Sequence, residues 1–241
     1  MIKKYELVFS MVGGFAAFEA TPALMQKYTN IFISIGALPS TIQTQNVSPN
    51  GVTNSYRPQF ISIQDNYKVN FLPDRVEIVF SQKDDEDLNL EEKSSIANSI
   101  FNLLGDIINN RTNRMVFVLK SYNETKLMNK LIDKSLYFSD HDTIEWGMRT
   151  AHRRSILING LNEDLNVVID QSHPEQGIIF QQTNKVKAIN GIHCQLEINT
   201  VQFNTINRFL VENYSEFVLK IKGIVYEVIK KIEGEYTDEA N

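Results

Sequence analysis

The 241-residue chain contains one cysteine, Cys194, and four histidines. A single cysteine excludes both a disulfide framework and a zinc cluster built from cysteines. The histidines are not spaced as a helical or hairpin pair of metal ligands. The sequence also has no Gly-x-Ser-x-Gly elbow, no P-loop and no Gly-x-Gly-x-x-Gly segment. These absences argue against a hydrolase triad, a phosphate-binding loop and a metalloenzyme, and we predict no cofactor.

No apolar run is long enough to span a bilayer. The longest run, Leu7 to Phe18, follows two lysines in the manner of a secretory signal. However, Glu6 stands at its start and Gly13-Gly14 interrupts it. We therefore predict a cytoplasmic protein without a membrane partner.

Charge and composition are those of an ordinary globular protein. Asp and Glu number 29 against 24 Lys and Arg, which gives a net charge of −5. This acidic balance argues against a nucleic-acid-binding face but leaves a local basic patch open. Ile, Asn and Lys, which have AT-rich codons, are abundant, and this bias is typical of low-GC bacterial or phage genomes.

The first half of the chain predicts the order β-α-β-β-β-α. An apolar strand from Lys4 to Val12 precedes a helix with Thr21 as N-cap and Gly36 at its end. The polar stretch Ser40–Arg57 predicts a long loop. Three strands follow, and then a helix capped by Asn89 whose apolar stripe reaches Ile108. The predicted strands are Gln59–Ile63, Lys68–Leu72 and Arg75–Ser81.

The second half repeats this order with one more strand. A strand at Arg114–Tyr122 precedes a helix capped by Asn123, and a meander follows with a turn at Asn159-Gly160. The chain closes with its longest amphipathic helix, from about Asn204 to Ile232. The predicted meander strands are Thr143–Ile158, Leu165–Asp170, Gly177–Gln182 and Gly191–Thr200.

The element order predicts an α+β protein built from two similar β-α-β-meander-α halves. Antiparallel meanders bury one face, and each half supplies amphipathic helices to cover that face. We place the boundary between residues 112 and 113, so the halves are 1–112 and 113–241 of one continuous domain or of two. The order in each half is similar to the unit of the TATA-binding-protein-like and helix-grip folds, which implies nothing about function.

Three segments together resemble a sporadically distributed family of uncharacterised prokaryotic proteins. These are the strand Glu6-Leu7-Val8-Phe9, the segment Lys120-Ser121-Tyr122-Asn123 and the strand Glu197-Ile198-Asn199-Thr200 before the last helix. The second segment departs from the Arg-Tyr-x-Asn element of that family. The resemblance implies no catalytic residues, and it implies membership of an accessory gene set such as defence against phage.

Candidate catalytic and metal-binding groups have simpler structural explanations. His193 and Cys194 are neighbours on a predicted strand, so they point to opposite faces and form no dyad. Glu124-Thr125-Lys126 matches the Glu-x-Lys triplet of restriction-type nucleases, but it begins a predicted helix, whereas that motif lies on a strand. Asp140-His141-Asp142 and the stretch from Asp170 to Glu175 lie at predicted turns.

The most informative polar group is the segment Arg149-Thr150-Ala151-His152-Arg153-Arg154, which holds three of the eight arginines. On a strand, Arg149 and Arg153 share one face, while His152 and Arg154 share the other. Arginine suits bidentate contact with phosphates or carboxylates. We therefore predict an anion-binding or partner-binding site here, to which Lys120 or Lys68 contributes. The competing explanation is an edge strand protected by its charge.

These features favour a non-enzymatic recognition protein that works through a protein partner or self-association. One alternative is a small-ligand or nucleotide-binding protein in which a curved sheet grips the last helix around a cavity. A second alternative is a metal-dependent nuclease.

Overall fold

The structure, a computed structural model, describes residues 4–48, 51–62, 64, 66–82, 87–123, 146–173, 178–182, 185–189, 192–201 and 203–237. Its secondary structure contains most of the predicted strands and helices, together with strands that were not predicted. In chain order the elements are β1 (Lys4–Gly13), α1 (Pro22–Ser34), β2 (Ala37–Ser48), β3 (Gly51–Ser62), β4 (Tyr67–Phe71), β5 (Arg75–Ser81), α2 (Leu90–Leu103), α3 (Gly105–Ile108), β6 (Thr112–Asn123), β7 (Trp146–Ile158), β8 (Leu161–His173), β9 (Ile178–Gln182), β10 (Lys185–Ile189), β11 (Ile192–Thr200) and α4 (Val211–Thr237).

One large antiparallel sheet organises the molecule. Its nine strands have the order β2-β3-β4-β5-β1-β6-β11-β8-β7, while β9 and β10 pair with each other. The central strand β1 pairs with β5 on one side and with β6 on the other. The sheet is therefore continuous across the predicted boundary at residues 112 and 113. The α+β class, the antiparallel sheet and the long C-terminal helix are confirmed.

The described helices all pack on one face of the sheet. Their buried side chains form a single apolar cluster with alternate residues of the strands, such as Phe9 of β1 and Phe117 of β6. Phe32 of α1 and Phe101 of α2 belong to the same cluster, as does Phe217 of α4. We call this side of the sheet the helix face. In the described residues, the helices and the sheet form two layers, with the helix face buried under amphipathic helices.

None of the described helices lies on the opposite side of the sheet. We call this side the open face, although Val8, Ser10 and Val12 at its centre are at most 8% exposed. Successive strand residues point to opposite faces, so the open face carries alternate residues of every strand. On β1 these residues are Glu6, Val8, Ser10 and Val12, and on the neighbouring strands they are the register partners of these four.

Local sequence accounts for where the helices begin and end. The hydroxyl of Thr21 accepts a hydrogen bond from the Leu24 N–H at 3.4 Å, which caps α1. Asn89 caps α2 through the Glu92 N–H at 3.1 Å. Gly36 ends α1 with φ of 75°, a conformation that favours glycine. These three predictions are confirmed.

Tyr214 of α4 ties the two central strands together. Its ring is fully buried and lies 6.4 Å from the ring of Phe9. Its hydroxyl donates to the Val116 carbonyl at 2.7 Å and accepts from the Ser10 N–H at 3.2 Å. Ser10 and Val116 are register partners on β1 and β6. The hydroxyl therefore bridges the backbones of these two strands from the helix face.

The predicted loop at Ser40–Arg57 is wrong. β2 and β3 pair along their whole length, from Ala37 with Ser62 to Ser48 with Gly51. The two strands extend beyond β4, because β4 pairs with β3 only at Gln59–Ser62. We call residues 41–56 the arm. Solvent reaches both of its faces, so this hairpin does not need the apolar alternation that reveals a half-buried strand.

The last helix begins at Val211 rather than at the predicted Asn204. The backbone N–H groups of Arg208 and Phe209 both donate to the Thr112 carbonyl, at 2.9 and 3.1 Å. These bonds hold the preceding residues against the start of β6 in a non-helical conformation. The helix then continues to Thr237, beyond the predicted end at Ile232.

Two further elements differ from the prediction, and one predicted element cannot be compared with the structure. The second predicted helix breaks at Leu104 into α2 and the short α3. The strand β10 was not predicted. The helix predicted after Asn123 lies outside the described residues.

Candidate functional site

β7 forms one edge of the large sheet. It pairs with β8 from Trp146 to Ile158, and within the described residues no strand pairs with its other side. The hairpin turn between them is Asn159-Gly160, with φ of 51° and 73°. Residues 147–155 are exposed except for a half-buried Thr150. Within the described ranges, the outer backbone groups of β7 thus have no strand partner, as at an unprotected sheet edge.

Arg149 and Arg153 lie on the open face of β7. Their register partners on β8 are Asp170 and Asn166. The terminal Nη2 of Arg153 donates to the Asn166 side-chain oxygen at 3.3 Å. The predicted sharing of one face by the two arginines is what the register shows. They stand four residues apart along the edge, which is about 13 Å on a strand.

His152 and Arg154 lie on the other side, so the predicted cluster is divided. The guanidinium of Arg154 contacts Glu227 of α4 at 3.3 Å. Glu227 also binds Lys231 at 3.0 Å. The hydrogen bonds from Lys231 first, and from Arg154 second, lower the pKa of Glu227. Arg154 thus links the edge strand to a helix through a surface ion pair, and it is not free to bind an anion with Arg149.

Lys120 lies on the central strand β6, and β11 and β8 separate it from β7. Three strand spacings place it about 14 Å from the edge. Its Nζ binds the carboxylate of Glu6 at 2.6 Å. The lysine therefore has a partner of its own, and it does not contact the arginines.

A row of polar side chains nevertheless connects Lys120 with Arg149 across the open face. The register partners run from β1 to β7 as Glu6, Lys120, Gln195, Asp170 and Arg149. The charges along this row are negative, positive, neutral, negative and positive. Opposite charges at facing positions stabilise a sheet, which gives the row a structural role as well. We call it the charged row.

His193 lies beside the charged row. It is on the same face of β11 as Gln195, diagonal to Lys120 and Asp170. Partial burial lowers the pKa of His193, the positive charge of Lys120 lowers it further, and Asp170 acts in the opposite direction. Sequence reasoning considered His193 only as a neighbour of Cys194. Its proximity to Lys120 depends on the pairing of β11 with β6, which no local pattern reveals.

A second polar row holds Arg153 in place. Asn166 donates to the Asn199 side-chain oxygen at 3.3 Å, and Asn199 donates to Glu197 at 2.7 Å. Together with the bond from Arg153, these contacts run across three strands. We call this chain of side chains the amide ladder. It orients the guanidinium of Arg153, whereas Arg149 at the end of the charged row has no such support among the described residues.

The remaining candidates provide no catalytic or metal-binding geometry. Cys194 is 1% exposed on the helix face, as expected of a core residue. Within the described residues, no three His, Cys, Asp or Glu side chains are grouped to hold a metal ion. The segments Glu124-Thr125-Lys126 and Asp140-His141-Asp142 lie outside the described residues. Among the helices of the described ranges, none combines the length and apolar character that a membrane span requires.

Comparison with known proteins adds no assignment. No protein-family model matches the chain, and no curated protein or solved structure is significantly similar to it.

Proposed function

We propose that the protein is a non-enzymatic recognition protein that binds an extended, acidic segment of a partner protein along β7. The observation that carries this proposal is an edge strand of 13 residues with two exposed arginines on one face. An added strand would take its main-chain hydrogen bonds from the open edge. Acidic side chains of the partner would then meet Arg149 and Arg153.

The chemistry of the two arginines supports an acidic partner. A guanidinium offers paired donors that match a carboxylate, and charge-assisted bonds are stronger than neutral ones. The protein as a whole is acidic, with a net charge of −5. Its positive edge would therefore attract an acidic segment that the rest of the surface repels, which provides specificity.

The helix-grip alternative receives less support from the packing under α4. Three side chains of this helix, Tyr214, Phe217 and Ile221, are at most 1% exposed. They belong to the same apolar cluster as Phe9 and Phe117 of the sheet. Aromatic side chains thus occupy the layer between sheet and helix where a ligand would have to bind. The nuclease alternative rests on residues outside the described ranges and receives no support from the others.

We also propose that the fold consists of two similar halves. Residues 4–81 supply β2-β3-β4-β5-β1, and residues 112–200 supply β6-β11-β8-β7. In each half the first strand lies at the centre of the sheet and the second strand lies at its edge. This correspondence of order supports an internal duplication in the manner of TATA-binding-protein-like units, in which β1 and β6 would be equivalent.

A defined peptide tests the proposed binding. The probe is a fluorescent peptide of about ten residues that alternates Glu and Val, which is long enough to pair with most of β7. We expect a rise in fluorescence anisotropy with the wild-type protein. The double variant Arg149→Glu/Arg153→Glu should bind at least about tenfold more weakly, because facing like charges replace opposite ones. A peptide that alternates Lys and Val should not bind the wild type.

Two controls separate binding from edge protection. Arg154→Glu makes the same reversal of charge at one position on the helix face of the strand, half the total change in the double variant, and it should leave peptide affinity nearly unchanged. Thermal unfolding should show that the double variant remains folded. If the wild type binds neither peptide, or if the double variant binds as tightly as the wild type, the arginines only protect the edge and the proposal is wrong.

A further inference from the structure

The other edge of the sheet, β2, has an unusual composition. Residues 37–62, which include β2 and β3, contain a single charged side chain, Arg57. Arg57 is 3% exposed, and its guanidinium donates to the backbone carbonyls of Phe15, Ala16 and Phe18. The exposed part of this hairpin therefore presents no charge to a neighbouring molecule.

An uncharged edge lacks the usual protection against strand pairing. Natural edge strands are commonly blunted by lysine or other charges, by proline or by shortness. β2 has 12 residues, and its proline, Pro39, stands near the start, where α1 and the sheet lie close. From Ser40 to Ser48 the strand has neither charge nor proline. Within the described residues, only β3 pairs with it.

Within the described residues, the two strands of the arm pair only with each other. An isolated two-stranded hairpin is only marginally stable in water. Beyond Gln59, β4 no longer pairs with β3, and the described hydrogen bonds on that side are those of Arg57 and the one from the Ala20 N–H to the Tyr56 carbonyl at 2.9 Å. Thr41, Gln43 and Gln45 are exposed on one face, and Val52 and Tyr56 are exposed on the paired strand. Pairing with another strand would satisfy the outer backbone groups of β2 and order the arm.

We infer that β2 pairs antiparallel with β2 of a second copy of this chain, so that two sheets join into one across a two-fold axis. A two-fold contact brings a surface against its own copy. Such a surface should carry no net positive or negative charge, because like charges would otherwise face each other. β2 meets this condition, whereas β7 would set arginine near arginine. The Thr and Gln side chains of β2 can form hydrogen bonds with their own copies, as facing polar pairs on strands do.

Sedimentation of the full chain tests this inference. We expect wild type to be a dimer at micromolar concentration. The double variant Gln43→Lys/Gln45→Lys should be a monomer, because each lysine faces like charge across the two-fold axis. The matched control is Val52→Lys/Asn54→Lys, which adds the same charge to the same face of the inner strand β3. This control should remain a dimer, and far-UV circular dichroism should show that both variants are folded.

Cysteine cross-linking locates the axis. Cys194 is the only native cysteine and is buried, so a cysteine introduced on β2 is the reactive one. In a series of single cysteines at positions 41 to 45, oxidation should cross-link one position strongly. Its neighbours should react less, because each step away from the axis separates the two copies by about 7 Å and changes the face. Met148→Cys on the exposed β7 provides the background rate.

Two results would overturn the inference. The first is a wild-type protein that sediments as a monomer throughout the micromolar range. The second is a dimer that survives Gln43→Lys/Gln45→Lys and shows no cross-linking on β2 above the Met148→Cys background. Neither result depends on the peptide-binding experiment, so this inference and the proposed role of β7 stand or fall separately.

Discussion

The two edges of the nine-stranded sheet differ in charge. β7 carries Arg149, Arg153 and Arg154 along an exposed strand, whereas β2 carries no charged residue at all. Positive charge allows an acidic strand to approach and keeps an identical strand away. An uncharged strand does not discriminate against its own copy. β7 is thus suited to an acidic strand of another protein, and β2 is suited to the same strand of a second copy of this chain.

The edges also differ in how they are anchored. The end of β7 is part of the core, since Ile158 is 2% exposed, and the turn that follows is held by a hydrogen bond of 2.7 Å from the Asn159 N–H to Glu216 of α4. The described contacts of the β2–β3 hairpin lie towards its base, where Ala37 is buried and the rings of Phe32 and Phe60 are stacked. The hydrogen bonds of Arg57 and of the Tyr56 carbonyl with residues 15–20 also lie there. A well-anchored edge presents a preformed binding surface, which reduces the entropy lost on binding.

Matched truncations of isoleucine test this difference in anchoring. Ile158→Ala should lower the free energy of unfolding by about 2–5 kcal/mol, because it removes buried methyl groups and leaves a cavity. Ile42→Ala, on the half-exposed arm, should cost less than about 1 kcal/mol. Urea denaturation in the Gln43→Lys/Gln45→Lys background measures both without a contribution from dimerisation. Equal costs would show that the arm is packed as firmly as β7.

A second prediction concerns the centre that connects the two edges. Tyr214→Phe removes the hydroxyl that bridges Ser10 and Val116 and leaves a buried N–H and a buried carbonyl without that partner. We expect a loss of about 1–3 kcal/mol in the free energy of unfolding. Tyr226→Phe, at a residue that is 41% exposed, is the control and should change little. If Tyr214→Phe leaves the free energy of unfolding unchanged, the Ser10 N–H and the Val116 carbonyl must find other partners, for example by bonding directly to each other.

The same hydroxyl predicts a dependence on high pH. Burial raises the pKa of Tyr214 well above its ordinary value of about 10. The folded state therefore keeps a proton that the unfolded state releases, so this contribution to stability is complete below about pH 10 and is lost as the pH rises further. Denaturation curves should show that wild type loses stability above that pH more steeply than Tyr214→Phe. Parallel pH profiles would contradict this account.

Much of the fold could be predicted because local signals and tertiary structure agree. The caps at Thr21 and Asn89, the turn at Asn159-Gly160 and the stripe of α4 are short-range patterns, and the structure places each of them as predicted. The arm was missed because exposure of both faces removes the apolar alternation on which strand prediction depends. The start of α4 was missed because long-range bonds to Thr112 override local helix propensity.

The candidate site could be predicted only in part, because it depends on register. Alternation along one strand was sufficient to separate Arg149 and Arg153 from Arg154. The charged row instead joins residues that are up to 189 positions apart in the chain, such as Glu6 and Gln195. Their proximity follows from the order β1-β6-β11-β8-β7, and nothing in the local sequence at Gln195 or His193 indicates it.

The smallest expected effect is a change in the pKa of His193, which tests whether charges in the charged row interact electrostatically across strands. Lys120→Met should raise the pKa of His193, because it removes a positive charge that opposes protonation, and Asp170→Asn should lower it further. Since the folded pKa lies below its unfolded value, the contribution of His193 to stability is present above about pH 6.5 and is lost as the pH falls. Proton NMR of the imidazole, assigned with His193→Gln, measures these shifts. The control is Lys68→Met, which removes the same charge from the open face four strands away and should leave the pKa of His193 unchanged. Equal shifts from both lysine variants would mean that the pKa of His193 depends only on the overall charge of the protein.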